Sequence, residues 1–297
     1  MSIKKDSLIY KLYRLSLPEL WLDLFLPILL GAAISLNINS EFNIFYFIIT
    51  AFAFLLFILS ANCWIKYFFA VSDNSKKEVN LYQLLYYFYY NRRIKEKLIK
   101  KLKVDKKNLL LIAIITTLIL IIFAILTIQI NEYIILIIFL SILLFIIYVF
   151  LQIKMIDSFF DELIIGLLAG PCLVTISYML QSGGFNISII FLELPISLLA
   201  INLRWVSQHN RYYSFKGFKI LLLFIYASFA LVFAIFNNII FLLLYISLPI
   251  VMYKLKKDQN ILYYNSEFEI IDFSRKLYYY TSLLLAALIV FDYIIRI

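Results

Sequence analysis

Histidine is nearly missing from this chain, and cysteine is scarce: there is one histidine, His209, and there are two cysteines, Cys63 and Cys172. Two cysteines in apolar runs cannot build a disulfide framework. One histidine and two cysteines also fall short of a structural zinc site. Charge is sparse too, at 15% of residues, and glycine and proline number only 6 and 5. What fills the chain instead is apolar. Of 297 residues 64% are hydrophobic and the mean hydropathy is +0.95, against about 45–50% apolar residues in a soluble domain. That excess is too large for one soluble core, so the chain reads as an integral membrane protein. The aromatics are abundant, but Ile, Lys and Asn are as well, a bias that genome composition can produce.

A hydrocarbon core of about 30 Å takes about 20 apolar residues per helix. Nine segments qualify, at roughly 17–36, 42–71, 108–130, 132–153, 159–181, 185–206, 218–236, 237–253 and 277–295. Their length and continuity predict helices rather than the ten-residue alternating strands of a β-barrel. With nine spans, 26 of the 27 basic residues fall on the side of the N-terminus, and only Arg296 falls on the other. The loops of that other side are short and neutral or acidic. The positive-inside rule then puts the N-terminus in the cytoplasm. The split at Asn237–Asn238 requires a tight hairpin there.

The chain reads as one domain over 1–297, with cytoplasmic loops at about 72–107, 207–217 and 254–276. The first loop pairs a tyrosine-rich amphipathic stretch, Leu81–Tyr90, with a basic run from Arg92 to Lys103, the pattern of an interfacial helix against anionic lipid. The +9 net charge is therefore assigned to topology, and nucleic acid is not expected as a partner. Ionisable residues at membrane depth cost about 2.5–3.5 kcal/mol on insertion scales and are functional candidates by default. They are Glu19, Asp23, Lys66, Asp161, Glu162, Glu193 and Arg204. All but Glu193 belong in or near the cytoplasmic half. Gly166-x-x-x-Gly170 followed by Pro171 predicts close helix packing and a kink.

The segment from Asp161 to Gly183 resembles the fifth-helix signature of UbiA-type prenyltransferases, most of all the naphthoate branch that works in menaquinone synthesis. Glu162, Gly166, Gly170, Pro171, Tyr178, Gln181 and Gly183 fall in register with it. Leu194-Pro195 with Leu198-Leu199-Ala200, and Pro18 and Pro27 with Gly31, are similar to two further family motifs. The resemblance implies a nine-helix bundle with a lipid-accessible cavity. It also implies two aspartate-rich cytoplasmic loops that hold Mg²⁺ on an isoprenyl diphosphate. Mg²⁺ held by carboxylates neutralises such a leaving group.

Here those loops depart from the family. The first motif falls on Asn62, Ile65, Lys66, Phe69 and Asp73, which leaves one of three aspartates. The second falls on Ser207, Gln208, Asn210, Arg211 and Phe215, and no Asp or Glu occurs from Leu194 to Met252. The family expects Mg²⁺, but Asp73 is the one candidate ligand left, and Lys66 and Arg211 would repel a cation. The resulting expectation is a divergent UbiA-like protein that binds a prenyl lipid or a quinone-type ligand, with catalysis lost or altered. Its candidate pocket or anion-binding residues are Asn62, Lys66, Asp161, Glu162, Tyr178, Gln181, Arg204 and Arg211. Two alternatives stand beside it. One is an active prenyltransferase, moving an isoprenyl group from a diphosphate to an aromatic or lipid acceptor through a non-standard site. The other is a transporter or structural membrane subunit. The sequence thus leaves open whether the chain is an enzyme. Expected partners are membrane lipid and an isoprenyl diphosphate or quinone precursor, and the expected location is the prokaryotic cell membrane.

Overall fold

The computed structural model describes residues 21–72, 106–153, 159–208, 211–251 and 267–297. Every regular element among them is a helix. α1 (Trp21–Asn39) and α2 (Ile44–Ser72) form the first hairpin, and α3 (Lys106–Ile130) and α4 (Ile134–Ile153) the second. α5 (Phe159–Leu167) passes through a π-turn, Leu168–Cys172, into α6 (Leu173–Ser182). α7 (Ser188–Leu192) and α8 (Leu194–Gln208) return across the bundle, and α9 (Arg211–Phe236) follows. A 3-10 helix, Ile239–Ile246, opens the next apolar segment, which ends at Val251, and α10 (Glu267–Arg296) closes the described chain. Residues 211–217 and 267–276, expected as loop, are helical.

Among the described residues five helices are long and apolar enough to cross a membrane: Lys107–Ile130, Glu162–Ser182, Ser188–Val206, Gly217–Phe236 and Phe273–Arg296. Four shorter apolar helices, Phe25–Asn39, Ile44–Ser60, Ile134–Leu144 and Ile239–Val251, accompany them. The distribution of side chains is the reverse of a soluble protein's. Leu136, Phe139 and Leu223 are 66%, 67% and 73% exposed, while Glu162, Asn202, Arg204 and Asp292 are all 0% exposed. In water such a surface would aggregate; in lipid it costs nothing, because acyl chains are as apolar as leucine. The chain is a multi-pass integral membrane protein.

α1 and α8 form the centre. Leu26, Leu30, Ala33 and Ile34 of α1 are buried, as are Ile196, Leu199, Ala200 and Leu203 of α8. α1 packs on α6 and α10, and α8 on α5, α9 and α10. The α3–α4 hairpin lies at the rim, with α2 as the main neighbour of α3.

Four of the turns share one device. Asn43, Asn131, Asn186 and Asn238 each accept, on the side-chain oxygen, the backbone N–H two residues on: Phe45 at 2.9 Å, Tyr133 at 3.0 Å, Ser188 at 2.9 Å and Ile240 at 3.1 Å. A short amide side chain substitutes here for the missing helical carbonyl and starts the next helix. The hairpin expected at Asn237–Asn238 is present. Asn237 takes φ 48°, a left-handed conformation that asparagine tolerates better than most residues.

Candidate functional site

Two glycines set the contact between α5 and α8. A methyl group on Gly166 would run into Ile201, and one on Gly170 into the Ser197 hydroxyl. The two helices are antiparallel, so one turn before Gly166 on α5 Glu162 comes level with Arg204 and Trp205 of α8. Glu162 and Arg204 are both fully buried, and each is engaged by neighbouring groups. A buried acid and a buried base at one level are far cheaper in a membrane than either alone. Trp205 in turn lies over Gly217 of α9, where a Cβ would strike the indole.

The other residues expected in the pocket divide into two groups. Asn62 and Lys66 lie in the last turns of α2, Asp161 in the first turn of α5 and Arg211 at the start of α9; their side chains lie outside the described residues. Asp73, Glu19 and His209 lie outside the described residues altogether. Tyr178 and Gln181 are at the opposite end of the bundle from Glu162. They are 16 and 19 residues further along α5–α6, about 24 and 28 Å at 1.5 Å per residue. There they hold the α1–α2 hairpin. The Tyr178 hydroxyl accepts from Asn39 Nδ2 at 3.2 Å. Gln181 pairs with Asn43 in both directions, its Oε1 accepting from the backbone N–H at 2.6 Å and its Nε2 donating to the carbonyl at 3.1 Å. The structure thus sets Glu162 and Arg204 at one level of the α5–α8 contact and gives Tyr178 and Gln181 a separate architectural post.

Two polar centres were not visible as such in the sequence. Asp292, fully buried near the end of α10, accepts from Asn37 Nδ2 at 3.0 Å and from Asn238 Nδ2 at 2.5 Å, and pairs with Arg296 Nε at 3.0 Å. Arg296 also donates to the Phe236 carbonyl at 2.9 Å. This cluster ties α1, the 237–238 turn and α10 together. Glu193, the acid between α7 and α8, accepts the Thr175 hydroxyl of α6 at 2.8 Å. Its depth was legible as an acid in an apolar run; its partner, 18 residues away on the facing helix, was not.

Among the described residues no three His, Cys, Asp or Glu side chains converge on a point that could hold a metal. At Glu162 the level arginine disfavours a divalent cation, since a fixed positive charge competes for the same carboxylate. No protein-family model matches the chain, and no curated protein matches it.

Proposed function

We propose that the chain is a nine-span, UbiA-like protein of the prokaryotic cell membrane. In this reading it binds a prenyl lipid or quinone-type ligand from the cytoplasmic side, with prenyl-transfer catalysis lost or altered. The observation that carries the reading is the level placement of buried Glu162 and Arg204 where two glycines draw α5 and α8 together. Such a pair sets a charged acceptor and a charged donor inside an otherwise apolar bundle, where ionisable side chains mark candidate functional positions. The family-like order of Glu162, Gly166, Gly170 and Pro171 supports the same reading. The single aspartate at position 73, with Lys66 and Arg211 in aspartate positions, favours binding without a Mg²⁺–diphosphate step. Nine spans are supported by the five long and four shorter apolar helices and by the one-sided basic residues.

Function is tested by offering the purified protein isoprenyl diphosphates of several chain lengths and quinone-type amphiphiles, with and without Mg²⁺. The expected result is binding that does not depend on Mg²⁺ and falls at least tenfold in Lys66→Asp combined with Arg211→Asp, compared at matched salt because such binding is screened. Mg²⁺-dependent turnover abolished by Asp73→Asn would replace this reading with the active enzyme. Topology is tested separately by membrane-impermeant thiol labelling. Cys63 and Cys172 are buried, so the background is low. Lys107→Cys should react only from the cytoplasmic side, and Glu132→Cys only from the outside. Reaction of both from one side would remove the nine-span arrangement.

A further inference from the structure

Glu193 stands where two facing helices both break. On its own side, Pro195 lacks the N–H that would continue the helix from α7, and its ring opposes the carbonyl four residues back; α8 restarts at Leu194 with that proline in its first turn. On the facing side, Pro171 removes another N–H, and the chain widens into the π-turn, where Leu173 N–H reaches back to the Leu168 carbonyl. Gly170 holds the breaks together: a Cβ there would lie 3.2 Å from the Glu193 carbonyl oxygen and 3.1 Å from Ser197 Cβ. Around the break, Thr175 donates to the Glu193 carboxylate at 2.8 Å and the Ser197 hydroxyl donates to the Glu193 carbonyl at 3.1 Å. Cys172 of the π-turn, a buried free thiol, is the titratable neighbour on the facing side.

The depth makes this arrangement unusual. Glu193 is five residues past Ser188 and Thr175 seven before Ser182, about 8 and 10 Å into the span at 1.5 Å per residue. The carboxylate is 2% exposed, and among the described residues no cation pairs with it. One hydroxyl donor does not neutralise a carboxylate in hydrocarbon. We propose that this junction is a binding site for a small monovalent cation, a proton or sodium, held by the Glu193 carboxylate and the Thr175 hydroxyl. A single carboxylate among neutral oxygens balances one positive charge, whereas Mg²⁺ keeps an octahedral shell of waters and anionic oxygens. Interrupted helices suit such a site because their backbone groups turn from the helical ladder toward an ion, and π-turns recur at functional positions. The junction is separate from the cytoplasmic centre, eleven residues or about 16 Å from Arg204 along α8, and does not depend on a lipid ligand there.

The test uses full-length protein in nanodiscs, moved between sodium, potassium and N-methylglucamine chlorides at fixed ionic strength. If sodium is the ion, the unfolding midpoint rises in sodium, by roughly 5 °C at a hundredfold excess over Kd, and Glu193→Gln abolishes the rise. If the proton is the ion, sodium has no effect. Infrared spectra then show a buried carboxylic-acid carbonyl band that comes and goes as pH is cycled and is missing from Glu193→Gln. A wild-type protein with neither response overturns the proposal, as does a titrating band that survives Glu193→Gln. If Glu193→Gln does not fold, Thr175→Val takes its place. It must weaken the sodium response or move the carbonyl band, and no change in either overturns the proposal.

Discussion

Gly31→Val is expected to prevent the chain from reaching a monodisperse folded state in detergent, and Gly31→Ala to lower its stability by about 2–4 kcal/mol. Gly31 faces α6 so closely that a Cβ would run into the Val174 carbonyl and lie 2.7 Å from Ser177 Cβ and 3.0 Å from the Tyr178 nitrogen. A helical carbonyl cannot swing aside as a side-chain end can. The helices would have to part, which would break the Ser177 hydroxyl bond to the Ile28 carbonyl at 2.7 Å and strain the Asn39–Tyr178 bond. Gly184→Ala is the control, because the nearest heavy atom to its Cβ would be the Ser182 carbonyl oxygen at 4.0 Å. Size-exclusion profiles and thermal midpoints of the three variants decide the matter. A Gly31→Val protein with the wild-type midpoint would show that α1 and α6 do not approach as described.

Asp292→Ala should be strongly damaging, costing about 2–4 kcal/mol. Two asparagine amides, Asn37 and Asn238, would lose a charged acceptor in a buried place, and hydrogen bonds to charged groups are worth about 1.5–3 kcal/mol. The Arg296 contribution is small, since that side chain is 52% exposed and water screens it. Asp292→Asn keeps the shape and one acceptor, and should recover about half of the loss. Thermal unfolding with Asn37→Ala and Asp292→Ala singly and combined checks this. Additive losses would mean that the cluster is not a unit.

Both expectations rest on contacts that the sequence could not have supplied, and the contrast with what it could supply is physical. Apolar runs report helices because lipid demands a continuous backbone ladder, and the described runs expected to be helical are helical over most of their length, with the expected turn at Asn237–Asn238 between two of them. Gly166 and Gly170 were legible as a packing face because small residues four apart share one side of a helix. Asp292 was not legible, because its partners are 255 and 54 residues away in the chain and no local periodicity encodes such a meeting. The four turn asparagines were hidden differently: in a composition rich in asparagine their spacing looked like background, although each starts a helix. Tyr178 and Gln181 matched a motif in order and spacing, yet order along a helix gives depth as well as face. Their depth puts them at the α1–α2 hairpin, far from Glu162.

The π-turn at Leu168–Cys172 also acts on angle. An α-helix turns 100° per residue, and the wider turn accommodates one residue more than the helical ladder would. The half of this span before the π-turn and the half after it are therefore set to different azimuths, the first presenting Gly166 and Gly170 to α8 and the second presenting Val174, Ser177 and Tyr178 to α1. A chain lacking that one residue would carry the same side chains in the same order, but the half after the turn would be rotated by about 100°. Thr175 would swing away from Glu193, and Gln181 from the hairpin it closes.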